Sequence, residues 1–284
     1  MSGHPRLLQG VRRARRVARR PARWPAARQV VRRRVAADAR LVRSPVFVIC
    51  PVRSGSTLLR VLLNSHPDIC APHELHLRFV RVQFERHYAE LSMKELGLEQ
   101  DELEYMLWDR VMHRELVASG KRVLVDKTPG NATFHERLVA GWPDARFIFL
   151  LRHPASIVAS LMETRPDREL GSTVKEALTY LEGVEEARNS VPGLVVRYED
   201  LVADPVAVTQ QVCRYLSVRW DPRMLAYGQA RHGTFRAGIG DWTVKIRSGR
   251  VQPGRALPDP ADVPEGLRPI AEAWGYLPEL TRLT

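Results

Sequence analysis

The chain has 284 residues, of which 44% are hydrophobic, and a formal net charge of +12. That is enough apolar material for one sizeable core, and a single α/β domain is the simplest arrangement. Cys50, Cys70 and Cys213 are too widely spaced for a disulfide or metal pattern, and no apolar run approaches the roughly 18 residues that span a bilayer.

The charge is concentrated at one end. Residues 1–44 hold fourteen arginines and one acid, Asp38, whereas the body beyond them is nearly neutral. Like charges interrupted by Pro5, Pro21 and Pro25 oppose a packed core, which predicts a flexible arm over 1–44 and one domain over 45–284. Such an arm offers weak contact with an anionic membrane or nucleic acid; a solvated tail is the simpler reading. There is no signal-peptide-like stretch, so the body is expected to be soluble and cytoplasmic, with the basic arm as its route to a membrane.

Val46 to Cys50 is a short apolar, β-branched run that suits a parallel strand buried on both faces. Leu58, Leu59, Leu62 and Leu63 then recur at helical spacing, with Thr57 placed to cap the helix. Between strand and helix lie Arg53, Ser54, Gly55, Ser56 and Thr57. A glycine there turns backbone N–H groups inward at the positive end of a helix dipole, which is a cradle for phosphate-like anions. The nucleoside triphosphate loop G-x-x-x-x-G-K-[ST] differs at two positions: Cys50 replaces the first glycine and Ser56 the lysine, while a cation stands inside the loop at Arg53.

This stretch resembles the 5′-phosphosulfate loop of sulfotransferases that use 3′-phosphoadenosine 5′-phosphosulfate (PAPS), in the Arg-Ser-Gly-[ST]-Thr form of tyrosylprotein and many bacterial enzymes. The resemblance implies transfer of a sulfuryl group from PAPS to an acceptor hydroxyl, giving a sulfate ester and 3′,5′-ADP without a metal. Arg53, Ser54, Gly55, Ser56 and Thr57 would hold the 5′-phosphosulfate.

The next segment, Pro72-His73-Glu74-Leu75-His76-Leu77, supplies three groups able to take the acceptor's proton: His73, Glu74 and His76. In the tyrosylprotein-like branch, a glutamate at this distance from the phosphate loop is the base, and it aligns with Glu74. The segment also resembles sulfotransferase domains of some polyketide synthases. Residues 78–119 pattern as two helices, which in such folds commonly line the acceptor pocket; a packing stripe explains Phe79, Val82, Phe84, Tyr88 and Leu91 equally well.

Val123-Leu124-Val125-Asp126-Lys127-Thr128-Pro129 reads as a buried strand ending in a polar turn. It resembles the Lys-Thr-His segment of cytosolic sulfotransferases, which gives Lys127 contact with the transferring group. Pro129 replaces the histidine base of those enzymes, leaving the proton to Glu74. The strand Ala145–Leu151 leads to Arg152 and, eight residues on, Ser160. A guanidinium fork at a strand end and a hydroxyl two helical turns further converge on one anion, and the spacing matches the family's 3′-phosphate pair.

Residues 172–190 pattern as an amphipathic helix, Leu194–Arg197 as a strand, and Ala203–Leu216 as a helix. Tyr198-Glu199-Asp200-Leu201 resembles the family's turn near adenine, with Glu199 and Asp200 read as helix caps. Thr234-Phe235-Arg236-Ala237-Gly238-Ile239-Gly240-Asp241-Trp242 resembles the segment that closes over the nucleotide. It is one residue short, with Ala237 in place of lysine, so only Arg236 and Gly238 carry over as 3′-phosphate contacts. Four strands, each followed by helix, predict a three-layer αβα sandwich with a mainly parallel sheet and its site at the carboxyl ends of the strands; the resemblance implies that this is the P-loop-like sulfotransferase fold. The rival readings are a P-loop kinase, with Asp126 as its one near Mg²⁺ ligand, and a non-enzymatic binder of anionic surfaces. The acceptor, whether small-molecule alcohol or phenol, glycan, lipid or protein tyrosine, is not specified by these motifs.

Overall fold

The computed structural model describes residues 40–233, 235–236, 238–240 and 244–278. Residues 1–39 of the arm, residues 279–284, and Thr234, Ala237, Asp241 and Trp242 of the glycine-rich segment lie outside the described residues.

Five strands, β1 (Val46–Ile49), β2 (Ile69–Cys70), β3 (Val123–Lys127), β4 (Arg146–Leu151) and β5 (Leu194–Arg197), form a parallel sheet in the order β2-β3-β1-β4-β5. The helices in chain order are α1 (Ser56–Asn64), α2 (His87–Glu95), α3 (Gln100–Ser119), α4 (His135–Gly141), α5 (Pro154–Thr164), α6 (Leu170–Ser190), α7 (Tyr198–Ala203), α8 (Pro205–Tyr215), α9 (Val244–Arg247) and α10 (Arg268–Ala273). β1 is central, and all four of its residues are fully buried, as expected for an apolar, β-branched strand with helices on both faces. Val46 lies opposite Val125 of β3 and Arg146 of β4.

Alternation along β1 divides the core into two halves. Phe47 and Ile49 join Trp108, Trp142, Ile157 and Leu181, contributed mainly by α3, α5 and α6. Val46, Val48 and Cys50 join Leu59 and Leu62 of α1 and Val212 of α8 on the opposite face. The result is the three-layer αβα sandwich. From β1 the chain goes to the edge strand β2, returns inward to β3 beside β1, then crosses to β4 and β5 on the other side. This leaves a crevice at the carboxyl end of β1, where open parallel sheets bind their ligands.

Several local expectations are corrected. The helix after the anion loop begins at Ser56, and its N-cap is Gly55 at φ 83°, so Thr57 lies within the first turn instead of capping it. The short β2 went unread because two residues carry no periodicity. α2 buries none of its side chains, and Phe79 and Tyr88 are 68% and 82% exposed; α3 buries Tyr105, Trp108 and Met112. Glu199 caps nothing: it accepts from His153 N at 3.0 Å and Tyr276 OH at 2.6 Å. The cap of α8 is Asp204, which accepts from Ala207 N at 2.9 Å.

The last residues assigned to the arm belong to the body. Arg40 forks onto Glu102 at 2.8 and 3.1 Å and donates to Gly141 O, while the N–H groups of Leu41 and Val42 donate to Asp109 at 2.7 and 3.0 Å. Glu102 and Asp109 both come from α3, a partner that arrives sixty residues later in the chain.

Candidate active site

The loop after β1 supplies the first wall of a cleft of about 740 Å³ lined by Arg53, Gly55, Ser56 and Thr57. Arg53 has a left-handed backbone, φ 60°, and Ser54 Oγ ties the turn shut by donating to Pro51 O at 2.8 Å. Gly55 is required twice over. Its φ of 83° favours glycine, and a Cβ there would fall 2.2 Å from Cδ2 of Tyr198. The glycine thereby lets an aromatic ring from the end of β5 lie directly on the anion loop.

Lys127, the last residue of β3, is fully buried, and its Nζ donates to Glu74 Oε1. A completely desolvated ammonium requires such a partner. The other carboxylate oxygen, Oε2, lies 3.2 Å from His76 Nε2. The main chain of this segment is fixed by Thr128 Oγ1, which accepts from Leu75 N at 3.2 Å and His76 N at 3.4 Å while donating to Asp126 Oδ1 at 2.9 Å. Asp126 also accepts from Asn131 Nδ2 at 2.9 Å, and burial holds its carboxyl above the ordinary range. This aspartate is a structural anchor with its oxygens engaged, so it does not serve the kinase reading as a free metal ligand.

Arg152, at the carboxyl end of β4, donates through Nη1 to Arg53 O at 2.7 Å and lies 4.5 Å from the centroid of the Tyr198 ring. Its Nε is buried with no partner among the described residues, and burial lowers its affinity for the proton. Ser160 meets Arg53 Nε at 3.2 Å. Thus Arg53, Arg152, Ser160 and Tyr198, which are up to 145 positions apart in the sequence, line one end of the cleft. An unpaired guanidinium N–H facing hydroxyl and aromatic groups is suited to a phosphate-bearing nucleotide.

The remaining sequence candidates fall differently. Gly238 lines the cleft, but Arg236 is exposed and outside its lining. His73 is exposed, with Nδ1 3.0 Å from the carbonyl oxygen of Glu74, and it too lies outside the cleft lining. Cys50 sits beneath the loop, where burial pushes its thiol up to about 11, so it remains an uncharged core residue.

Sequence reasoning missed two sets of residues. Arg60, inside the apolar stripe of α1, is 1% exposed; it donates to Ala71 O at 3.2 Å and stands over Phe235, and burial pushes its guanidinium down to about 10. A charge between Leu59 and Val61 on a buried helix was the available signal. Arg165, Lys245, Arg250 and Arg255 also line the cleft, and Arg255 forks onto Glu163 at 2.8 Å through both amino groups. Nothing in their local sequence indicates this, because Arg165 at the end of α5 and the cations at 245–255 meet only through the tertiary fold.

Among the described residues no group of acidic, histidine or cysteine side chains is arranged to hold a metal ion, and no helix is long and apolar enough to cross a membrane.

The profile of a group described as the Sulfotransferase family matches residues 45–222. Nodulation protein NoeE of Sinorhizobium fredii is 36% identical over 136 residues, 43% of this chain but only 32% of that protein. A protein-tyrosine sulfotransferase of Drosophila melanogaster is 21% identical over 199 residues, 63% of this chain and 39% of that one. The chain thus spans about a third of the length of each of these relatives. Among solved structures, the sulfotransferase domain of the Synechococcus PCC 7002 olefin synthase superposes with a TM-score of 0.61 at 24% identity, covering 83% of this chain and 96% of that one. The sulfotransferase domain from the curacin biosynthetic pathway gives a TM-score of 0.58 at 22% identity, covering 82% and 98%.

Proposed function

The chain belongs to the sulfotransferase family, and on that premise we propose that it moves a sulfuryl group from PAPS to the hydroxyl of an alcohol or phenol acceptor. The observation that carries the proposal is the meeting, in one cleft, of an anion cradle at the start of α1 with Glu74, the carboxylate that holds the buried Lys127 from behind the cleft wall. In this reading the backbone N–H groups of Ser54 to Thr57 hold the 5′-phosphosulfate at the positive end of the α1 dipole. Arg152, with its unpaired Nε, and Ser160 hold the 3′-phosphate, and Tyr198 lies beside the adenine. Gly238, which lines the cleft, is placed to approach the donor, and Arg236, outside the lining, would have to move to reach the 3′-phosphate.

The acceptor oxygen attacks sulfur in line as the bond between sulfur and the 5′-phosphate oxygen breaks. Negative charge gathers on the departing phosphate, where Lys127 and Arg53 stabilise it; fixed cations in a water-poor site are worth far more than in solution. Donor oxygens draw Lys127 Nζ from Glu74 Oε1, leaving that carboxylate to receive the acceptor's proton. The products are a sulfate ester and 3′,5′-ADP. His73, exposed and facing its neighbour's carbonyl, receives no step.

The test is calorimetric titration with 3′,5′-ADP against ATP plus Mg²⁺, followed by transfer from labelled PAPS to an acceptor panel of alcohols, phenols and tyrosine peptides. Micromolar or tighter binding of 3′,5′-ADP, lost in Arg152→Ala, supports the donor site. A preference for ATP with Mg²⁺ overturns it.

A further inference from the structure

His76 has an unusual backbone for a histidine. Its φ is 49°, and it is one of three non-glycine residues with positive φ among the described residues, Arg53 of the anion loop being another. Sparsely populated conformations persist where surrounding contacts over-determine them. Here the strained turn aims the imidazole between two acceptors: Nε2 lies 2.7 Å from Gly238 O and 3.2 Å from Glu74 Oε2. A carbonyl oxygen only accepts, so Nε2 carries the proton and shares it between loop and carboxylate. The main chain repeats the link, because Glu74 N donates to Ile239 O at 3.1 Å.

The two sides of this junction are held by different parts of the fold. Residues 74–76 are anchored to the sheet through Thr128 and the buried Asp126. The opposite side is a surface turn in which Ile239 N donates to Arg236 O and Gly238 sits at φ 88°. An added Cβ at Gly238 would meet nothing within 4 Å, so glycine is needed there for backbone direction and not for space. That direction points the 238 carbonyl at the imidazole.

We infer that His76 is a positioning residue that couples the 235–240 turn to the Glu74 carboxylate, so that nucleotide held by the turn sets the base for the acceptor; this rests on the donor-site reading above. With the turn in place, the shorter bond to Gly238 O takes the larger share of the His76 N–H. Glu74 Oε2 then keeps lone pairs for the incoming hydroxyl. With the turn withdrawn, the N–H passes wholly to Oε2 and weakens the carboxylate as a proton acceptor. The donor therefore prepares the base before the acceptor arrives.

The experiment is hydrogen exchange by mass spectrometry on the full chain, with and without saturating 3′,5′-ADP, reading peptides over 73–77 and 235–240. In the wild type the nucleotide should slow exchange in both segments, by about tenfold at 73–77, the scale of a modest local-stability gain. In His76→Ala, calorimetry should still show nucleotide binding and 235–240 should still be protected, but the effect at 73–77 should vanish. His76→Gln, whose amide also donates, should restore it, and Gly238→Ala, which misdirects the carbonyl, should uncouple the segments without touching the imidazole. Equal protection of 73–77 in wild type and His76→Ala, or protection confined to 235–240 in the wild type, would overturn the coupling while leaving the donor site intact. Absence of 3′,5′-ADP binding to the wild type overturns the donor-site reading itself, and this inference with it.

Discussion

The guanidinium of Arg53 donates through Nε to Ser160 Oγ across 3.2 Å, so the cation of the anion loop and the serine matched to the nucleotide's second phosphate are hydrogen-bonded to each other. Arg152 closes the same triangle through Arg53 O at 2.7 Å. The two phosphate sites proposed for the donor share a network whose members come from β1, β4 and α5. They should respond together to substitution.

Arg152→Ala should therefore lose 3′,5′-ADP affinity by roughly ten- to a hundredfold, the range for charge-assisted hydrogen bonds removed from a buried site. Arg152→Lys should recover little of it, since an ammonium cannot donate to Arg53 O and a phosphate in the same planar fork. Calorimetric titration of both variants checks this, and lysine restoring full affinity would count against the forked geometry.

Gly55→Ala combines a left-handed φ with a Cβ 2.2 Å from the Tyr198 ring. A cost of about 1–3 kcal/mol is expected from the backbone strain, and more from the ring if it cannot turn aside. Thermal unfolding should fall by several degrees, as about 1 kcal/mol corresponds to roughly 2–4 °C in a domain of this size. The double variant with Tyr198→Ala should regain part of the loss, and failure to do so would locate the problem in the backbone alone.

Glu74→Gln and Lys127→Met each break a pair whose lysine is fully buried and whose glutamate is 12% exposed. Either change alone should destabilise the fold, by up to about 3–5 kcal/mol where a buried charge is left uncompensated. The double variant, with no charge left to pair, should recover much of that stability and none of the transfer activity. Glu74→Gln should lower turnover by about a hundredfold or more, the usual contribution of a positioned base. Denaturant titration and single-turnover transfer from PAPS separate the two effects; turnover unchanged in Glu74→Gln would remove it as the base.

Acid should weaken the fold below neutral pH through His153 and His232. Burial is the main reason that both rings are held below their ordinary value of 6.5. Nδ1 of His153 accepts from Ala155 N at 3.2 Å, while His232 meets Asn64 Nδ2 through Nδ1 at 3.2 Å and Tyr227 O through Nε2 at 2.7 Å. A depressed pKa means that the unfolded chain binds protons first as pH falls. The stability is therefore present above pH 6.5 and lost as pH drops below it toward the folded values. Melting at pH 7.5 and 5.5 should show the drop, and His153→Gln with His232→Gln should flatten it.

A chain beginning at residue 45 should be less stable than one beginning at residue 40, because it lacks the Arg40 fork onto Glu102 and the two main-chain bonds to Asp109. Parallel thermal melts decide this, and equal midpoints would mean that the contacts are energetically idle.

The sequence was most legible where chemistry and local pattern coincide. The central strand, its loop and α1 follow from a β-branched run, a glycine and a leucine repeat. Lys127, which ends a buried strand, and Arg152, which follows one, were found because their segments also resemble those of the family. Arg60 was hidden, since a leucine stripe directs attention away from the arginine within it. Two helices do lie within 78–119, but they begin at His87 and Gln100, so Val82 and Phe84 are not helical, and their buried faces were not legible. α2 buries nothing, and α3 turns Tyr105, Trp108 and Met112 inward, because the sheet it packs on sets the rotation.

By itself the sequence determined the order of the four longer strands and their main helices, the parallel sheet that β-α alternation requires, and the anion cradle, whose parts lie within five consecutive residues. Tertiary structure alone decided which distant groups meet. Lys127 finds Glu74 across fifty-three positions, Tyr198 fills the space left by Gly55, and His76 reaches Gly238 across 162 positions. The physical reason is range. Propensity, capping and periodicity act over a few residues, whereas the pairing of a buried charge or the sharing of one N–H is set by where the crossovers return the chain, which no local pattern encodes.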